Sequence, residues 1–202
     1  MINWAQEREM AREIELKARI SKPGETRNKL FNLATLNGTF EKEDEYWKRT
    51  DGGIAGHTDS GGLQYGVRIR KEKFTSSSGV VKETSYVTWK QKKIRNGTEF
   101  NDENEFEVSS ASVFELFLRH LGYEPEISKR KKGTAFSWGN ITAEVTKVDK
   151  LGWFLELEII MPDRDRKREI SSGEILLQAL DKLGIKRKAV ECRSYSQMLA
   201  EL

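Results

Sequence analysis

The segment Arg12-Glu13-Ile14-Glu15-Leu16-Lys17-Ala18-Arg19-Ile20 alternates charged and apolar side chains along its whole length. Such period-two alternation is typical of a β-strand that is buried on one face only. The segment therefore predicts a strand whose apolar face packs on a core and whose other face presents Glu13, Glu15, Lys17 and Arg19.

Four later segments repeat this alternation, a weaker strand is predicted over 141–146, and 127–138 contributes a further strand of unassigned parity. On the charged face of each strong strand, neighbouring side chains share a sign. The like-charged pairs are Glu13 with Glu15, Arg68 with Arg70, Lys90 with Lys92, Glu105 with Glu107, and Glu156 with Glu158.

Helical patterns are fewer, and each has a boundary signal in the sequence. Helices are predicted over 26–36, over 112–121 with a capping box of Ser112 and Glu115, over 171–183, and over a short tail at 195–202. Single helices interrupt blocks of strands, without the regular alternation of a doubly wound parallel sheet. This order predicts an α+β fold.

Two architectures agree with strands that are apolar on one face and charged on the other. One is an open antiparallel sheet with its charged face in water. The other is a closed antiparallel β-barrel, a tunnel, with helices packed outside and charged side chains lining the interior. The sorting of charge by strand favours the barrel, because a solvated face gains nothing from like charges two residues apart.

The composition narrows the class of protein. The 202 residues carry 35 Lys and Arg against 32 Asp and Glu, a net charge of +3, so a nucleic-acid partner is not expected. The lone Cys192 suits a reducing compartment, and no apolar run approaches the ~20 residues of a membrane span. We expect a cytoplasmic protein without a membrane partner.

Acidic and basic strands that face one interior suit one kind of ligand. Carboxylates bind hard divalent cations such as Mg²⁺ through oxygen, and Arg and Lys bind phosphate oxygens. Neither set tolerates burial without the other, since an unpaired buried charge costs several kcal/mol. The pattern therefore points to a polyphosphate together with its metal.

The order of these motifs resembles that of the CYTH superfamily, the triphosphate tunnel metalloenzymes. Glu13-Ile14-Glu15-Leu16-Lys17 matches the family's Glu-x-Glu-x-Lys signature near the N-terminus. The motifs that follow in family order are Arg68-Ile69-Arg70, Thr88-Trp89-Lys90, Glu105-Phe106-Glu107 and the segment from Leu151 to Glu158. The resemblance implies a single tunnel domain over 1–202, with an N-terminal extension at 1–10 and a C-terminal tail at 185–202.

The resemblance also implies roles for individual residues. It assigns Glu13, Glu15, Lys17 and Glu156 to catalysis, with Mg²⁺ or Mn²⁺ as cofactor. The implied metal ligands are Glu13, Glu15, Glu105, Glu107, Glu156 and Glu158. The implied phosphate-binding residues are Lys17, Arg68, Arg70, Lys90, Lys129 and Lys131. The chain departs from the family at Thr146, where an acidic residue is usual and where Glu144 or Asp149 could substitute.

The tail Arg193-Ser194-Tyr195-Ser196-Gln197-Met198-Leu199 resembles the ending of class IV adenylyl cyclases. This resemblance implies conversion of ATP to cyclic AMP and pyrophosphate. Two alternatives stay open: a hydrolase of thiamine triphosphate or inorganic triphosphate, and a non-catalytic polyphosphate-binding module. A homodimer is also left open.

Overall fold

The computed structural model describes residues 12–50, 67–95, 98–161 and 166–202, except the side chains of 90–95, 102–103 and 166–169. The predicted N-terminal extension at 1–10 lies outside the described residues. Within them, eight strands form one antiparallel sheet. They are β1 (Arg12–Arg19), β2 (Thr35–Arg49), β3 (Val67–Ser76), β4 (Val81–Arg95), β5 (Thr98–Val108), β6 (Tyr123–Trp138), β7 (Ile141–Val148) and β8 (Gly152–Met161).

The strands are hydrogen-bonded in the order β1-β5-β4-β3-β2-β6-β7-β8, and β8 pairs with β1, so the order returns to its starting strand. Every ladder is antiparallel. The sheet is curled and has an inner face and an outer face. The predicted α+β class with an antiparallel sheet is confirmed.

Four helices accompany the described strands: α1 (Pro23–Leu33), α2 (Ala111–His120), α3 (Arg166–Lys182) and α4 (Tyr195–Ala200). The cap of α2 is Ser110, whose hydroxyl accepts a hydrogen bond from the Val113 amide, and not the predicted Ser112. None of the described helices combines the length and the apolar character needed to span a bilayer.

The apolar core lies on the outer face of the sheet, beneath the helices. Leu16 of β1 and Leu157 of β8 pack with Leu30 of α1 and Leu180 of α3, and all four side chains are fully buried. A second cluster joins Ala111 and Leu118 of α2 to side chains of three strands, Trp47, Ile69 and Val87. The apolar sides of the strands therefore face the helices, and the charged sides face inward.

The end of the first predicted helix was wrong, and the strand that follows it was not predicted. The helix predicted over 26–36 ends at Leu33, and β2 begins at Thr35 and runs to Arg49. Glu41, Glu43 and Glu45 alternate with Lys42 and Asp44, so β2 is charged on both faces and lacks the apolar face that identifies other strands. Long ladders with β3 and β6 stabilise it.

Gly133 of β6 lies close to the neighbouring strands β7 and β2. A Cβ at this position would meet the Val145 carbonyl oxygen, the Phe40 ring at 2.8 Å and the Thr146 Cα at 3.1 Å. Two of these atoms belong to the backbone of the neighbouring strand and cannot rotate away.

We therefore expect Gly133→Ala to lower the free energy of unfolding by about 1–3 kcal/mol through overpacking. Urea denaturation measures this effect. Gly24→Ala is the matched control, because a Cβ at Gly24 would meet nothing within 4 Å; it should be neutral or stabilising by no more than ~1 kcal/mol. Equal stabilities of the two variants would contradict the close approach of β6 and β7.

Candidate functional site

The inner face gathers ionisable side chains from seven of the eight described strands. The basic ones are Lys17, Lys42, Arg68, Arg70, Lys129 and Lys131, and the acidic ones with a described ion pair are Asp44, Glu72, Glu99, Glu105, Glu144 and Glu156. Burial of so many charges is tolerated only because each has a partner of opposite sign.

Lys131 of β6 is the centre of the largest group of ion pairs. Its Nζ lies 3.2 Å from Glu144 Oε2 and 2.9 Å from Glu156 Oε2. The other oxygen of Glu144 accepts a hydrogen bond from Lys42 Nζ at 2.8 Å. Burial alone would lower the pKa of Lys131, but Glu144 and Glu156 outweigh it and raise this pKa. In turn, Lys131 and Lys42 overcome burial and hold the pKa of Glu144 well below its ordinary value.

Asp44 of β2 is the centre of a second group. Arg70 donates two hydrogen bonds to its carboxylate, Nε to Oδ1 at 2.7 Å and Nη2 to Oδ2 at 3.0 Å. Lys129 Nζ lies 2.6 Å from Oδ2. Burial would raise the pKa of Asp44, but Arg70 and Lys129 keep it well below its usual range. The carboxylate thus stays ionised and fixes both cations.

A row of carboxylates crosses β1, β5 and β8 on the inner face. In the backbone register, Glu15 of β1 lies opposite Glu99 of β5 and opposite Glu158 of β8. Lys17, two residues along β1, is buried and its Nζ lies 3.2 Å from Glu99 Oε1. Glu13 continues the row and lies opposite Asn101.

Helix α4 inserts Tyr195 into this site from the C-terminal tail. The Tyr195 hydroxyl donates to Glu156 Oε1 at 2.9 Å, and the ring packs edge-on against Phe154 with 5.0 Å between centroids. Lys17 and Lys129 approach the ring to 4.8 and 5.1 Å. Burial and the nearby Glu156 raise the pKa of Tyr195 well above its ordinary value, so the phenol remains a hydrogen-bond donor.

Two of the candidate ligands from the sequence, Glu105 and Glu107, differ in exposure although they are only two residues apart on β5. Glu105 is on the inner face, where its Oε2 accepts hydrogen bonds from Thr88 at 3.0 Å and Arg68 at 3.3 Å. Glu107 is exposed and pairs with Lys82 at 3.4 Å. Glu107 has the parity of Glu105 and lies opposite Tyr86 of β4, but it is next to the last residue of β5, where its side chain is exposed.

The remaining candidate site residues differ in burial. Glu13, Glu15 and Glu158 are half-buried on the strands of the carboxylate row, while Lys129 and Lys131 are buried on the inner face. Lys90 lies on β4 opposite Glu103, and its side chain is outside the described residues.

Sequence reasoning missed several residues of the inner face. Lys42 and Asp44 lie on β2, a strand that was not predicted because charged residues stand on both of its faces. Glu99 gave no local signal, and Tyr195 was named only as part of the tail motif, since the contacts of both residues are with distant strands. Glu144, named as a substitute for an acid at position 146, is on the inner face. Asp149 is exposed in the turn after β7.

The carboxylate row fits a divalent metal by the chemistry of its donors. Mg²⁺ prefers oxygen ligands and binds through one or two carboxylates plus substrate phosphates. Within the described residues, no three acidic, His or Cys side chains already converge on one point. Next to Glu13, the amide of Asn101 is buried, and among the described residues neither its oxygen nor its nitrogen has a hydrogen-bond partner. These groups therefore suit a metal that arrives with its substrate.

Comparison with known proteins gives a family match. A model of the CYTH domain family matches residues 11–195. No curated protein matches the chain. Among solved structures, the chain is similar to the PH1012 protein of Pyrococcus horikoshii OT3, at 26% identity and a TM-score of 0.68, covering 92% of this chain and 98% of that one.

Two further structures share the fold. One is a candidate adenylate cyclase from Vibrio parahaemolyticus, with 16% identity, a TM-score of 0.73, and coverage of 93% and 97% of the two chains. The other is HpAC1 from Hippeastrum, with 13% identity, a TM-score of 0.59, and coverage of 95% and 94%. HpAC1 is described as a candidate adenylyl cyclase with a dominant triphosphatase activity.

The ion pairs of Lys131 indicate how its substitution should change the stability of the protein. Lys131→Met leaves Glu144 and Glu156, which are opposite in the β7–β8 register, without the ammonium that they share. We expect the free energy of unfolding to fall at pH 7 by on the order of 3 kcal/mol. The exposed neighbour Lys132→Met is the control and should change it by less than about 0.5 kcal/mol.

The loss of unfolding free energy in Lys131→Met should depend on pH. Urea denaturation of the parent and the variant at pH 7 and pH 4 measures this dependence. The folded pKa of Glu144 lies below its ordinary value of 4.5. Its stabilising contribution is therefore fully present above pH 4.5 and is lost as the pH falls further. The difference between parent and Lys131→Met should shrink at the lower pH. A difference that grows there would contradict the assigned ion pairs.

Proposed function

The chain belongs to the CYTH domain family, and on this premise we propose that it is a metal-dependent enzyme that binds a triphosphate within the tunnel formed by its inner face. One observation carries the proposal: buried Lys and half-buried Arg side chains share one surface with a row of carboxylates. A surface that only held phosphate would gain nothing from the carboxylates, which repel phosphate unless a metal lies between.

The basic side chains supply the phosphate site. Arg70 holds Asp44 with two parallel hydrogen bonds, and the same donor fork matches two oxygens of a phosphate. Lys129 and Lys131 lie beside it as point charges on β6. Each cation now neutralises a carboxylate, so a bare triphosphate would add about four uncompensated negative charges to the inner face. A triphosphate that carries a divalent cation adds fewer and is the form that fits.

The acidic side chains would hold that cation. Glu13, Glu15 and Glu156 are the proposed ligands, and Glu158 lies opposite Glu15 to complete the row. A bound Mg²⁺ or Mn²⁺ neutralises phosphate charge and lowers the pKa of the attacking hydroxyl group. The chain contributes orientation and fixed charge: Tyr195 orients Glu156, and Lys17 places a buried positive charge between the carboxylates and the phosphates.

For the reaction we propose cyclisation of ATP. The ribose 3′-oxygen attacks the α-phosphorus and loses its proton, the bond from that phosphorus to the β-phosphate oxygen breaks, and pyrophosphate leaves. Support comes from the tail that ends in α4 and from the Vibrio parahaemolyticus neighbour. Hydrolysis of a triphosphate is the second candidate, which the description of HpAC1 favours. It would use the same side chains with water as the attacking group.

A product assay tests the proposal. The purified protein is incubated with Mg²⁺ or Mn²⁺ and, separately, with ATP, thiamine triphosphate and tripolyphosphate, and cyclic AMP is resolved from free phosphate. Equal amounts of cyclic AMP and pyrophosphate from ATP, abolished by EDTA, are expected. Release of inorganic phosphate alone would establish the hydrolase. Binding that survives EDTA without turnover of any substrate would overturn the enzyme in favour of a binding module.

The carboxylate row predicts a contrast between two glutamates that the sequence alone treats alike. Glu15→Gln removes a proposed metal ligand and should reduce kcat by about 100-fold or more. Glu107→Gln changes only an exposed ion pair and should leave kcat within about twofold. Steady-state kinetics at saturating metal measures both.

The dissociation constant of the triphosphate in the presence of Mg²⁺ distinguishes lost chemistry from lost binding, and Glu15→Gln should raise it far less than it lowers kcat. A Glu15→Gln enzyme with the parent kcat at saturating metal would refute the ligand assignment.

A further inference from the structure

Asn101 of β5 is a polar residue that is buried on the inner face of the sheet. Its exposed fraction is 0%, and among the described residues neither its amide oxygen nor its amide nitrogen has a hydrogen-bond partner. Buried amides are normally paired, because a buried donor or acceptor without a partner bears the full cost of its desolvation. Both ends of the Asn101 amide are therefore available to a ligand.

The register of the β1–β5 ladder places Asn101 beside the carboxylate row. Asn101 lies opposite Glu13, and Glu99, two residues away on β5, lies opposite Glu15. Side chains that are directly opposite in an antiparallel ladder lie on the same face, with their Cβ atoms about 4.5–5.5 Å apart. The Asn101 amide is therefore within reach of a ligand that the Glu13 carboxylate binds.

Asn101 differs from its buried neighbour on the same strand. The Glu99 carboxylate accepts a hydrogen bond at Oε1 from Lys17 Nζ, at 3.2 Å, so its charge is satisfied within the chain. Asn101 is held as firmly as Glu99, because β5 pairs at this residue with β1 on one side and with β4 on the other. The unpaired amide therefore lies on a rigid element, where a binding group needs little further ordering.

The two ends of an amide match the two components of a metal-bound triphosphate. The amide oxygen is a neutral oxygen ligand of the kind that hard divalent cations accept beside carboxylates. The amide nitrogen carries two N–H groups, which can donate to a phosphate oxygen. A cation alone would leave the nitrogen without an acceptor, and a phosphate alone would leave the oxygen without a partner. A cation that carries its phosphate satisfies both.

We propose that Asn101 binds both components of this complex, with its amide oxygen on the divalent cation beside Glu13 and its amide nitrogen on a phosphate oxygen. This inference rests on the proposed function, since it requires a metal-bound triphosphate on the inner face. A carboxylate at this position could not replace the amide, because it has no donor and repels phosphate. Asn101 thus favours the metal-bound triphosphate over either component alone.

Binding without turnover tests the role of Asn101. The probe is a tripolyphosphate analogue with methylene groups in place of both bridging oxygens, and calorimetry gives its dissociation constant with Mn²⁺ and with EDTA. Mn²⁺ should tighten binding of the analogue to the parent. In Asn101→Leu this tightening should be smaller by about tenfold or more, because both contacts of the amide are lost. Asn104→Leu, the same change on the other side of β5, is the control and should keep the parent values.

A second variant, Asn101→Asp, separates the two contacts. Its carboxylate can still bind the cation but cannot donate to phosphate. Its affinity for Mn²⁺ alone, measured from the electron paramagnetic resonance signal of free Mn²⁺, should be at least that of the parent. Its dissociation constant for the analogue with Mn²⁺ should be about tenfold higher than that of the parent.

The outcomes distinguish a wrong role for Asn101 from a wrong function. Asn101→Leu removes two unpaired polar atoms, so its metal-free melting temperature should be no lower than that of the parent. Parent-like tightening by Mn²⁺ in Asn101→Leu, or parent-like binding of the analogue with Mn²⁺ in Asn101→Asp, would overturn the role of Asn101 and leave the proposed function in place. A parent that binds the analogue equally well with Mn²⁺ and with EDTA would overturn the proposed metal-bound triphosphate itself.

Discussion

Neutralisation of buried charge by a partner on a neighbouring strand is the interaction on which the rest of this structure depends. Lys131 of β6 stays charged only because Glu144 of β7 and Glu156 of β8 lie within reach. Asp44 of β2 requires Arg70 of β3 and Lys129 of β6 in the same way. These contacts link β3, β2, β6, β7 and β8 in their observed order. A slip of one residue in any ladder would turn a charge toward the apolar side and leave its partner unpaired.

These ion pairs specify the fold more than they stabilise it. A buried pair gains little over an apolar pair of the same volume, because desolvation offsets the Coulombic attraction. Net stability therefore comes from the outer side of the sheet, where Leu16, Leu157 and Leu180 are fully buried. A variant of the chain with an apolar inner face would be at least as stable. The charged side chains of the inner face are therefore explained by the proposed triphosphate ligand and not by a gain in stability.

Strand alternation made the outer core and much of the inner face predictable, since a period of two assigns each residue of a strand to a side. The side of the sheet on which a residue lies does not show how close it is to the end of its strand. For this reason Glu107 was expected to line the interior, whereas it lies at the exposed end of β5. Recognition of a strand by alternation also needs one apolar side as a reference. Because β2 lacks such a side, Lys42 and Asp44 were missed. The contact of Tyr195 with Glu156 could not be predicted for a different reason. The two residues are 39 apart in sequence and meet only through the packing of α4, which no local pattern encodes.

The tail motif has a physical role in the site. Ser194 caps α4, with its hydroxyl accepting from the Gln197 amide while its own amide donates to the Gln197 side chain. Arg193 binds Glu191 and Glu201 on either side of that turn. The helix start is thereby fixed, and Tyr195, its first residue, is aimed at Glu156. A phenol that orients a carboxylate serves ribose attack and water attack equally, because both need the same charge beside the phosphates. The contact of Tyr195 with Glu156 therefore supports the proposed triphosphate site as a whole, whereas the proposal of a cyclase rests on the sequence of the tail and not on this contact.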